Sequence, residues 1–229
     1  MPQPIDKKKK LFIYFFLLIL LTTTNNFSLT NSKYLKLKIS QIKVSGLSNE
    51  NNFNISKEFT KLIYQKNLFF INKDYFVSVL EKNNLIHSFK VRKIYPNTIE
   101  IQIEKTKLLA VTNYKEKNFF IGANGKLINF QSTDQNLPYI FGKIKIEEFI
   151  NFKKIVDNSK FNFEEISELF FFSSGRWDIK IHNGILIKLP KKNLLKALNL
   201  GNQMANSNNF KNNKVIDLRI YNNFISTSE

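Results

Sequence analysis

Two strands and the turn between them are predicted in residues 86–104, whose sequence is IHSFKVRKIYPNTIEIQIE. The segment Ile99–Glu104 alternates apolar and polar side chains without a break, which is typical of a half-buried antiparallel strand. Ile86–Ile94 is the strand before it. Tyr95–Thr98 forms the turn, and Pro96 stands where a turn favours a φ of about −65°. These residues therefore predict two neighbouring strands of one sheet.

Upstream, the sequence predicts a further strand and a first helix. Alternating Leu and Lys predict the strand over residues 35–44, and residues 49–54 form a polar loop. Ser56 is a favourable cap for the helix that follows. The predicted buried face of this helix has the i, i+3, i+4 spacing and consists of Phe59, Leu62 and Ile63.

A short buried link over residues 68–71 leads to a second helix, which begins at Asn72 or Asp74. The predicted buried face of that helix consists of Phe76, Val79 and Leu80. Residues 35–104 therefore predict a β-α-α-β-β domain, with one three-stranded sheet and both helices on one of its faces.

Residues 105–227 predict a second, β-rich domain with an antiparallel sheet and flanking helices, which makes the fold class α+β. Its predicted strands cover 108–114, 118–121, 126–130, 166–172, 178–182, 185–189 and 215–225, and its predicted helices cover 146–157 and 191–204. Asn183–Gly184 is a pair that favours a type I′ hairpin turn. In the last strand, one face is predicted to carry Ile216, Leu218 and Ile220, and the other Asp217, Arg219 and Tyr221.

The first residues combine a cationic cluster with an apolar run. Lys7–Lys10 is followed by eleven apolar residues that end at Leu21. Lysines beside hydrocarbon stay on the cytoplasmic side. We therefore predict a cytoplasmic tip over residues 1–10 and a transmembrane anchor over residues 11–29. The side chains predicted to lie in the membrane are Leu11, Phe12, Ile13, Phe15, Phe16, Leu17, Leu18, Ile19, Leu20 and Leu21.

A cleaved signal peptide is the alternative for this segment, because its apolar region is typically about 7–15 residues long. Such signals usually end in small residues of the Ala-x-Ala kind, which residues 22–29 do not contain. We therefore favour a retained anchor, with the bulk of the chain outside the cytoplasm.

Composition argues against several function classes. The chain has no Cys, so neither disulfides nor thiolate metal sites are available. Its net charge is +17, but the excess is mostly scattered Lys in a chain rich in Asn, Ile and Phe. That pattern is typical of AT-rich codon usage and a solvated surface, so we predict no nucleic-acid binding.

Catalytic residues are few. The two histidines, His87 and His182, lie on predicted strands, and no nucleophile elbow, zinc helix or phosphate loop occurs. We predict that the protein is not an enzyme and takes no cofactor, metal or small-molecule substrate. A binding module is favoured, and an edge strand that accepts a strand from a partner is a common way for a sheet protein to bind.

Several motifs, in chain order, resemble those of the FtsQ/DivIB family of bacterial cell-division proteins. They are IKVSGL at 42–47, LFFIN at 68–72, VRKIYPNTI at 91–99, GRWDI at 175–179 followed by NG at 183–184 and KLP at 188–190, and IDLR at 216–219. The family's Pro after the third strand of its POTRA domain is missing from Glu104–Lys107.

The resemblance implies a POTRA domain over residues 35–104 and a non-enzymatic scaffold of the division machinery. It further implies a single-pass protein of the bacterial inner membrane at the septum, with its bulk in the periplasm. The implied partners are FtsB- and FtsL-like single-span coiled-coil proteins, which would pair with the C-terminal strand. The residues implied to bind them are Asp217, Arg219, Ile220, Tyr221, Asn222, Phe224 and Ser226.

Two alternatives remain open from the sequence. A POTRA-bearing periplasmic chaperone, or a component of outer-membrane assembly or transport, shares the β-α-α-β-β unit but usually carries repeated units or a barrel. A cationic envelope protein that binds nucleic acid or lipid would gather its lysines on one face, a pattern that the sequence does not show.

Overall fold

The computed structural model describes residues 7–24, 37–130, 136–207, 214–220 and 225–227. The chain divides into two compact units, one drawn from Met1–Val79 and Lys90–Gln102 and the other from Leu80–Phe89 and Ile103–Glu229.

Helix α1 spans Lys7–Thr24 and includes both the lysine cluster and the apolar run. Its side chains from Leu11 to Leu21 are exposed. Across the described part of the chain, no helix combines the length and the apolar character that crossing a membrane requires. Residues 25–29 of the predicted anchor lie outside the described residues, so the anchor over residues 11–29 stays a prediction.

The N-terminal sheet has the predicted β-α-α-β-β order. Its elements are β1 (Gln41–Ser45), α2 (Asn49–Ile63), a 3-10 helix (Leu68–Phe70), α3 (Asp74–Leu80), β2 (Ile86–Ile94) and β3 (Thr98–Lys105). The strand order is β1-β3-β2, with β1 parallel to β3. The two helices pack together through Phe59 and Phe76, whose ring centroids lie 5.3 Å apart.

Several predictions in this region are wrong. Residues 49–54 are not a loop and Ser56 is not the cap, because α2 begins at Asn49, where the side chain of Ser48 caps it by accepting from the Asn51 amide. Leu62, which was predicted on the buried face of α2, is 42% exposed. The link over residues 68–71 is buried only at Leu68 and Ile71, whereas the rings of its two phenylalanines are exposed. The 3-10 helix explains why the two rings are exposed, because side chains three residues apart lie on the same side of such a helix, so Leu68 and Ile71 are buried together.

The second unit is built on a nine-stranded sheet. Its elements are β4 (Leu108–Tyr114), β5 (Lys117–Gly122), β6 (Leu127–Asn129), β7 (Tyr139–Phe141), α4 (Ile146–Asp157), a 3-10 helix (Phe163–Glu165), β8 (Ile166–Phe171), β9 (Trp177–Ile181), β10 (Leu186–Lys188), α5 (Leu194–Ala205), β11 (Val215–Asp217) and β12 (Ile225–Thr227). The strand order is β12-β11-β10-β9-β8-β7-β4-β5-β6.

This sheet is mixed, which corrects the predicted antiparallel sheet. The parallel pairs are β4 with β7, β7 with β8 and β10 with β11. Two of them are joined by a helix, α4 between β7 and β8 and α5 between β10 and β11. A helical crossover returns the chain to the same edge of the sheet, so the strands it joins run parallel.

One row of residues, aligned with each other across neighbouring strands, forms the part of the core that the sheet contributes in this unit. This inner row consists of Ile140, Leu169, Ile179, Ile187 and Ile216, all of them buried. They belong to one apolar cluster with residues of α4 and α5, including Phe152 and Leu198. The ring of Phe152 stacks on Trp177 with centroids 4.5 Å apart. The helices therefore cover the face of the sheet that carries the inner row.

Candidate functional site

The candidate site is the edge of the nine-stranded sheet formed by β11 and β12. The strand predicted over 215–225 is wrong as a single element, because β11 ends at Asp217 and β12 begins at Ile225. The two strands pair in antiparallel register, and β12 is the outermost strand at this end of the sheet among the described residues.

Hydrogen bonds between β10 and β11 fix which way the backbone of β11 faces. The Leu186 amide donates to the Lys214 carbonyl, and the Leu218 amide donates to the Lys188 carbonyl, each over 2.9 Å. Residues of even number in β11 therefore bond to β10. Because the polar groups of successive strand residues point to opposite sides, the odd-numbered residues of β11 face β12.

The same parity assigns the backbone groups of β12. Val215 lies opposite Thr227, and Asp217 lies opposite Ile225. Since both β11 residues present their backbone groups to β12, their partners exchange hydrogen bonds with them. Ser226 lies between, so its N–H and C=O point away from β11. It is the described residue of β12 whose backbone is oriented to receive another strand.

A charged row lies on the sheet face opposite the inner row. It consists of Asp178, Lys188 and Asp217, which sit side by side in register on β9, β10 and β11. Their neighbours in each strand belong to the inner row, so the pleat places the charged row on the face that the helices do not cover. Opposite charges therefore alternate across three adjacent strands next to β12.

Asp217 is held by Arg219. The Arg219 Nε donates to both carboxylate oxygens of Asp217, over 2.8 and 2.9 Å, and a guanidinium NH2 group contacts the same carboxylate. The Arg219 backbone amide also donates to it over 3.1 Å. These hydrogen bonds hold the pKa of Asp217 below its ordinary value. The pair lies at the end of β11, and the guanidinium of Arg219 is partly exposed.

The pKa of Asp178 is shifted in the opposite direction to that of Asp217. The side chain of Asp178 is buried, and burial raises the pKa of this carboxyl, although Arg176 opposes the shift. The Arg176 Nε lies 3.3 Å from the Asp178 Oδ1 without hydrogen-bond geometry. The guanidinium also lies over the ring of Phe172, 4.4 Å from its centroid.

The predicted binding residues are only partly brought together. Asp217 and Arg219 are paired at the end of β11, and Ser226 is in β12. Ile220, which was predicted to share a face with Ile216 and Leu218 and to bind the partner, is 56% exposed, because the strand has already ended at Asp217. The remaining three of these residues, Tyr221, Asn222 and Phe224, lie outside the described residues.

Two residues of the charged row, Asp178 and Lys188, were not singled out from the sequence. Each is a polar residue next to an isoleucine or leucine of a predicted strand, in Trp177–Ile179 and Ile187–Leu189. That alternation places them on the outer face. It does not show that they align with Asp217, since their alignment depends on the parallel pairing of β10 with β11.

Two family models match the chain, and together they cover most of it. The FtsQ-type POTRA domain matches residues 37–105, and the C-terminal domain of the cell division protein FtsQ/DivIB matches residues 110–219. This chain belongs to the FtsQ/DivIB family. The Asp217–Arg219 pair lies at the end of the second matched stretch, and β12 lies beyond it.

Curated relatives agree with this assignment. The chain is 30% identical to the cell division protein DivIB of Staphylococcus aureus over 94 residues, which cover 40% of the chain and 20% of the relative. It is 21% identical to FtsQ of Rhizobium meliloti over 59% of the chain and 45% of the relative. It is 26% identical to FtsQ of Rickettsia bellii over 69% of the chain and 60% of the relative. The chain thus spans a fifth to three fifths of these proteins.

A match among solved structures is the major extracytoplasmic domain of DivIB from Geobacillus stearothermophilus, in its trans isomer. The TM-score is 0.34 at 12% identity, and the match covers 44% of this chain and 92% of that one.

Proposed function

We propose that this FtsQ/DivIB family member is a non-enzymatic scaffold of the bacterial division machinery. It recruits FtsB- or FtsL-like single-span coiled-coil proteins, and it binds them by adding a partner strand to the outer side of β12. The observation that carries this proposal is the backbone of Ser226, which faces away from β11 at the edge of the sheet. An edge strand with unmet backbone donors and acceptors is a template for β-augmentation.

Side chains beside this edge would select the partner. The charged row and the guanidinium of Arg219 lie next to β12 on the face that the helices leave open. Ile220 adds an exposed apolar side chain just after β11. A partner strand that carries acidic and apolar residues in alternation would complement these groups, since pockets for alternate side chains give specificity in strand addition.

The proposal places the protein in the inner membrane at the division septum. The lysines and the apolar run of α1 support a single-pass anchor over residues 11–29, with residues 1–10 in the cytoplasm and the two folded units in the periplasm. In that topology the sheet edge is available to the periplasmic segments of other single-span proteins.

Proline substitutions in β12 test the binding mode directly. The full chain, purified from membranes, is used to capture an FtsB-like partner from the same bacterium. Ser226→Pro removes an amide that faces the partner, so capture is expected to be lost while the sheet stays folded. Thr227→Pro removes an amide that bonds to β11 and is expected to detach β12 itself.

Folding is followed in both variants by the fluorescence of Trp177, the single Trp of the chain. Ser226→Ala, which keeps the backbone donor, is the matched control and is expected to retain capture. Undiminished capture by Ser226→Pro would show that the partner does not pair with β12. Loss of capture in Ser226→Ala as well would show that the side chain, and not the backbone, carries the contact.

A further inference from the structure

Two phenylalanines project from the first unit of the structure. Phe69 is 63% exposed and Phe70 is 77% exposed, although they are adjacent in a 3-10 helix of a folded domain. Their rings contact each other edge to face, with centroids 5.6 Å apart. The two adjacent rings form one exposed apolar patch, and contiguous apolar patches, unlike single exposed rings, mark interaction surfaces. We call Phe69 and Phe70 the aromatic tip.

Buried neighbours and hydrogen bonds hold the backbone of the aromatic tip in place. Leu68 and Ile71 flank it in the chain, and both are buried. The Leu68 amide donates to the Leu37 carbonyl over 2.6 Å, and the side chain of Asn67 accepts from the Phe69 amide over 2.9 Å. The backbone is therefore fixed on both sides, and the exposure of the two rings follows from the fold.

One lysine contacts the aromatic tip, and two more are close to it in the chain. The Lys93 ammonium donates to the Phe69 carbonyl over 3.0 Å, and the Lys66 ammonium lies over the ring of Tyr75, 4.5 Å from its centroid. Lys73 follows three residues after Phe70, and Asp74, hydrogen-bonded to the Asn72 side chain, is the acidic residue of this segment. Between residues 37 and 105, eleven Lys and Arg stand against six Asp and Glu.

From this arrangement we infer that the aromatic tip docks on the headgroup region of an anionic lipid bilayer. Aromatic rings favour the membrane interface, where an apolar body meets water, and lysines beside them are attracted to anionic headgroups. Two projecting rings, with Lys93 bonded to the backbone of one of them and Lys66 and Lys73 within four residues of them in the chain, match that boundary. An acidic protein groove would satisfy the charges as well, and the experiment separates the two occupants.

The tether favours the bilayer over a protein groove. Leu37 follows Thr24, the end of α1, by thirteen residues, so a full extension of this linker reaches no more than about 47 Å. If α1 is the membrane anchor proposed above, Leu37, whose carbonyl accepts from the Leu68 amide at the base of the aromatic tip, stays within that reach of the bilayer surface. Docking would then fix the orientation of the POTRA domain above the membrane.

The test uses the full chain in vesicles and a polarity-sensitive fluorophore on a single cysteine, since the natural chain has none. Gln65→Cys places the probe on an exposed residue just before the tip. Asn49→Cys places a control probe at the start of α2, roughly 21 Å along the helix axis from its last residue. Vesicles contain either phosphatidylcholine alone or a mixture with phosphatidylglycerol.

Docking predicts that the Gln65→Cys probe emits at shorter wavelength in anionic than in zwitterionic vesicles, and that high salt reduces this shift. The Asn49→Cys probe is expected to show no such difference. Replacing both rings, Phe69→Ala with Phe70→Ala, should abolish the shift. Phe53→Ala, which removes a ring that is 67% exposed elsewhere in the same unit, should leave it unchanged.

A second variant keeps the inference testable if the double replacement unfolds. Lys66→Gln with Lys73→Gln leaves the rings in place and should weaken the shift in anionic vesicles alone. Equal emission from the Gln65→Cys probe in both kinds of vesicle would overturn the inference and favour a protein partner at the aromatic tip. Because β12 takes no part in this readout, failure here leaves partner capture by β12 unaffected, and the reverse holds too.

Discussion

Arg219 Nε donates to both carboxylate oxygens of Asp217, and this bifurcated hydrogen bond forms at the last residue of β11. The pair is short in sequence, with one residue between its members, and the intervening Leu218 is buried. Contacts therefore hold the end of the strand on both faces of the sheet. The ion pair of Asp217 with Arg219 lies on one face, and the buried Leu218 lies on the other. These contacts position β11 as the support on which β12 is added.

The lowered pKa of Asp217 predicts a pH dependence of stability. Because the carboxyl releases its proton more readily in the folded state, Asp217 stabilises the fold above 3.8, its ordinary pKa, and this contribution is lost as the pH falls through the lower folded value. We expect the free energy of unfolding of the natural chain, minus that of Asp217→Asn, to be constant above that point and to fall below it. Urea unfolding followed by Trp177 fluorescence measures it.

The matched control is Arg219→Gln, which removes the bifurcated hydrogen bond and keeps the carboxylate. In that background the change in unfolding free energy caused by Asp217→Asn should lose most of its dependence on pH, because the hydrogen bonds from Arg219 are the largest cause of the lowered pKa. A dependence that persists unchanged in the Arg219→Gln background would contradict this account of the pair.

Asp178 predicts a dependence of the opposite sign. Burial raises its pKa, so its folded state holds the proton more strongly than the unfolded chain does. The contribution to stability is fully present below 3.8 and is lost as the pH rises through the folded value. We therefore expect the unfolding free energy of the natural chain, minus that of Asp178→Asn, to fall as the pH rises above that point. A difference that rises with pH over the same window would mean that Arg176 outweighs burial.

The sequence predicts those helices and strands whose apolar residues form a recognisable pattern within the element itself. The bounds of β2, β4 and α4 match their predicted ranges at Ile86–Ile94, Leu108–Tyr114 and Ile146–Asp157. Strand β4 opens on a short run of apolar residues, and α4 repeats its apolar residues at the spacing of a helix. The type and place of such elements follow from side chains that are near each other in the chain.

Elements that depend on distant partners are not predicted. Strand β7 is only three residues, Tyr139–Phe141, and it exists because β4 and β8 pair with it on either side. Without β7, the crossover through α4 is not visible, and the sheet is predicted to be antiparallel. The division of the last predicted strand into β11 and β12 was missed for a related reason, since the antiparallel pairing of these two strands is not visible in the alternation of the segment.

Gly142 is predicted to tolerate no side chain. Its φ is +108°, and a Cβ atom built there would lie 2.2 Å from the carbonyl oxygen of Phe171. Both the backbone angle and the clash with the next strand oppose substitution, so Gly142→Ala should cost about 3 kcal/mol or more of unfolding free energy. Gly184→Ala is the control, because φ there is +91° and no atom lies within 4 Å of the added carbon.

For that control we expect a loss of about 1–2 kcal/mol from the backbone angle alone. Denaturant unfolding of the two variants, each compared with the natural chain, measures the difference. Equal losses at Gly142 and Gly184 would mean that β7 and β8 move apart to admit the methyl group, and that the close approach at Phe171 is not needed for the sheet.

The stacked pair of Phe152 and Trp177 predicts how firmly α4 is held on the sheet. Phe152 is 2% exposed and its ring lies nearly parallel to the indole, with an interplanar angle of 22°. Phe152→Ala leaves a cavity beneath the helix and should cost about 3–5 kcal/mol. Trp177 is the single Trp, so its emission should also move to longer wavelength as water gains access.

Phe141→Ala removes a ring that is 44% exposed on the other face of the sheet and should cost about 1 kcal/mol with no change in emission. A similar loss from both variants would show that the helix-covered face does not hold this unit together, and that the open face contributes as much.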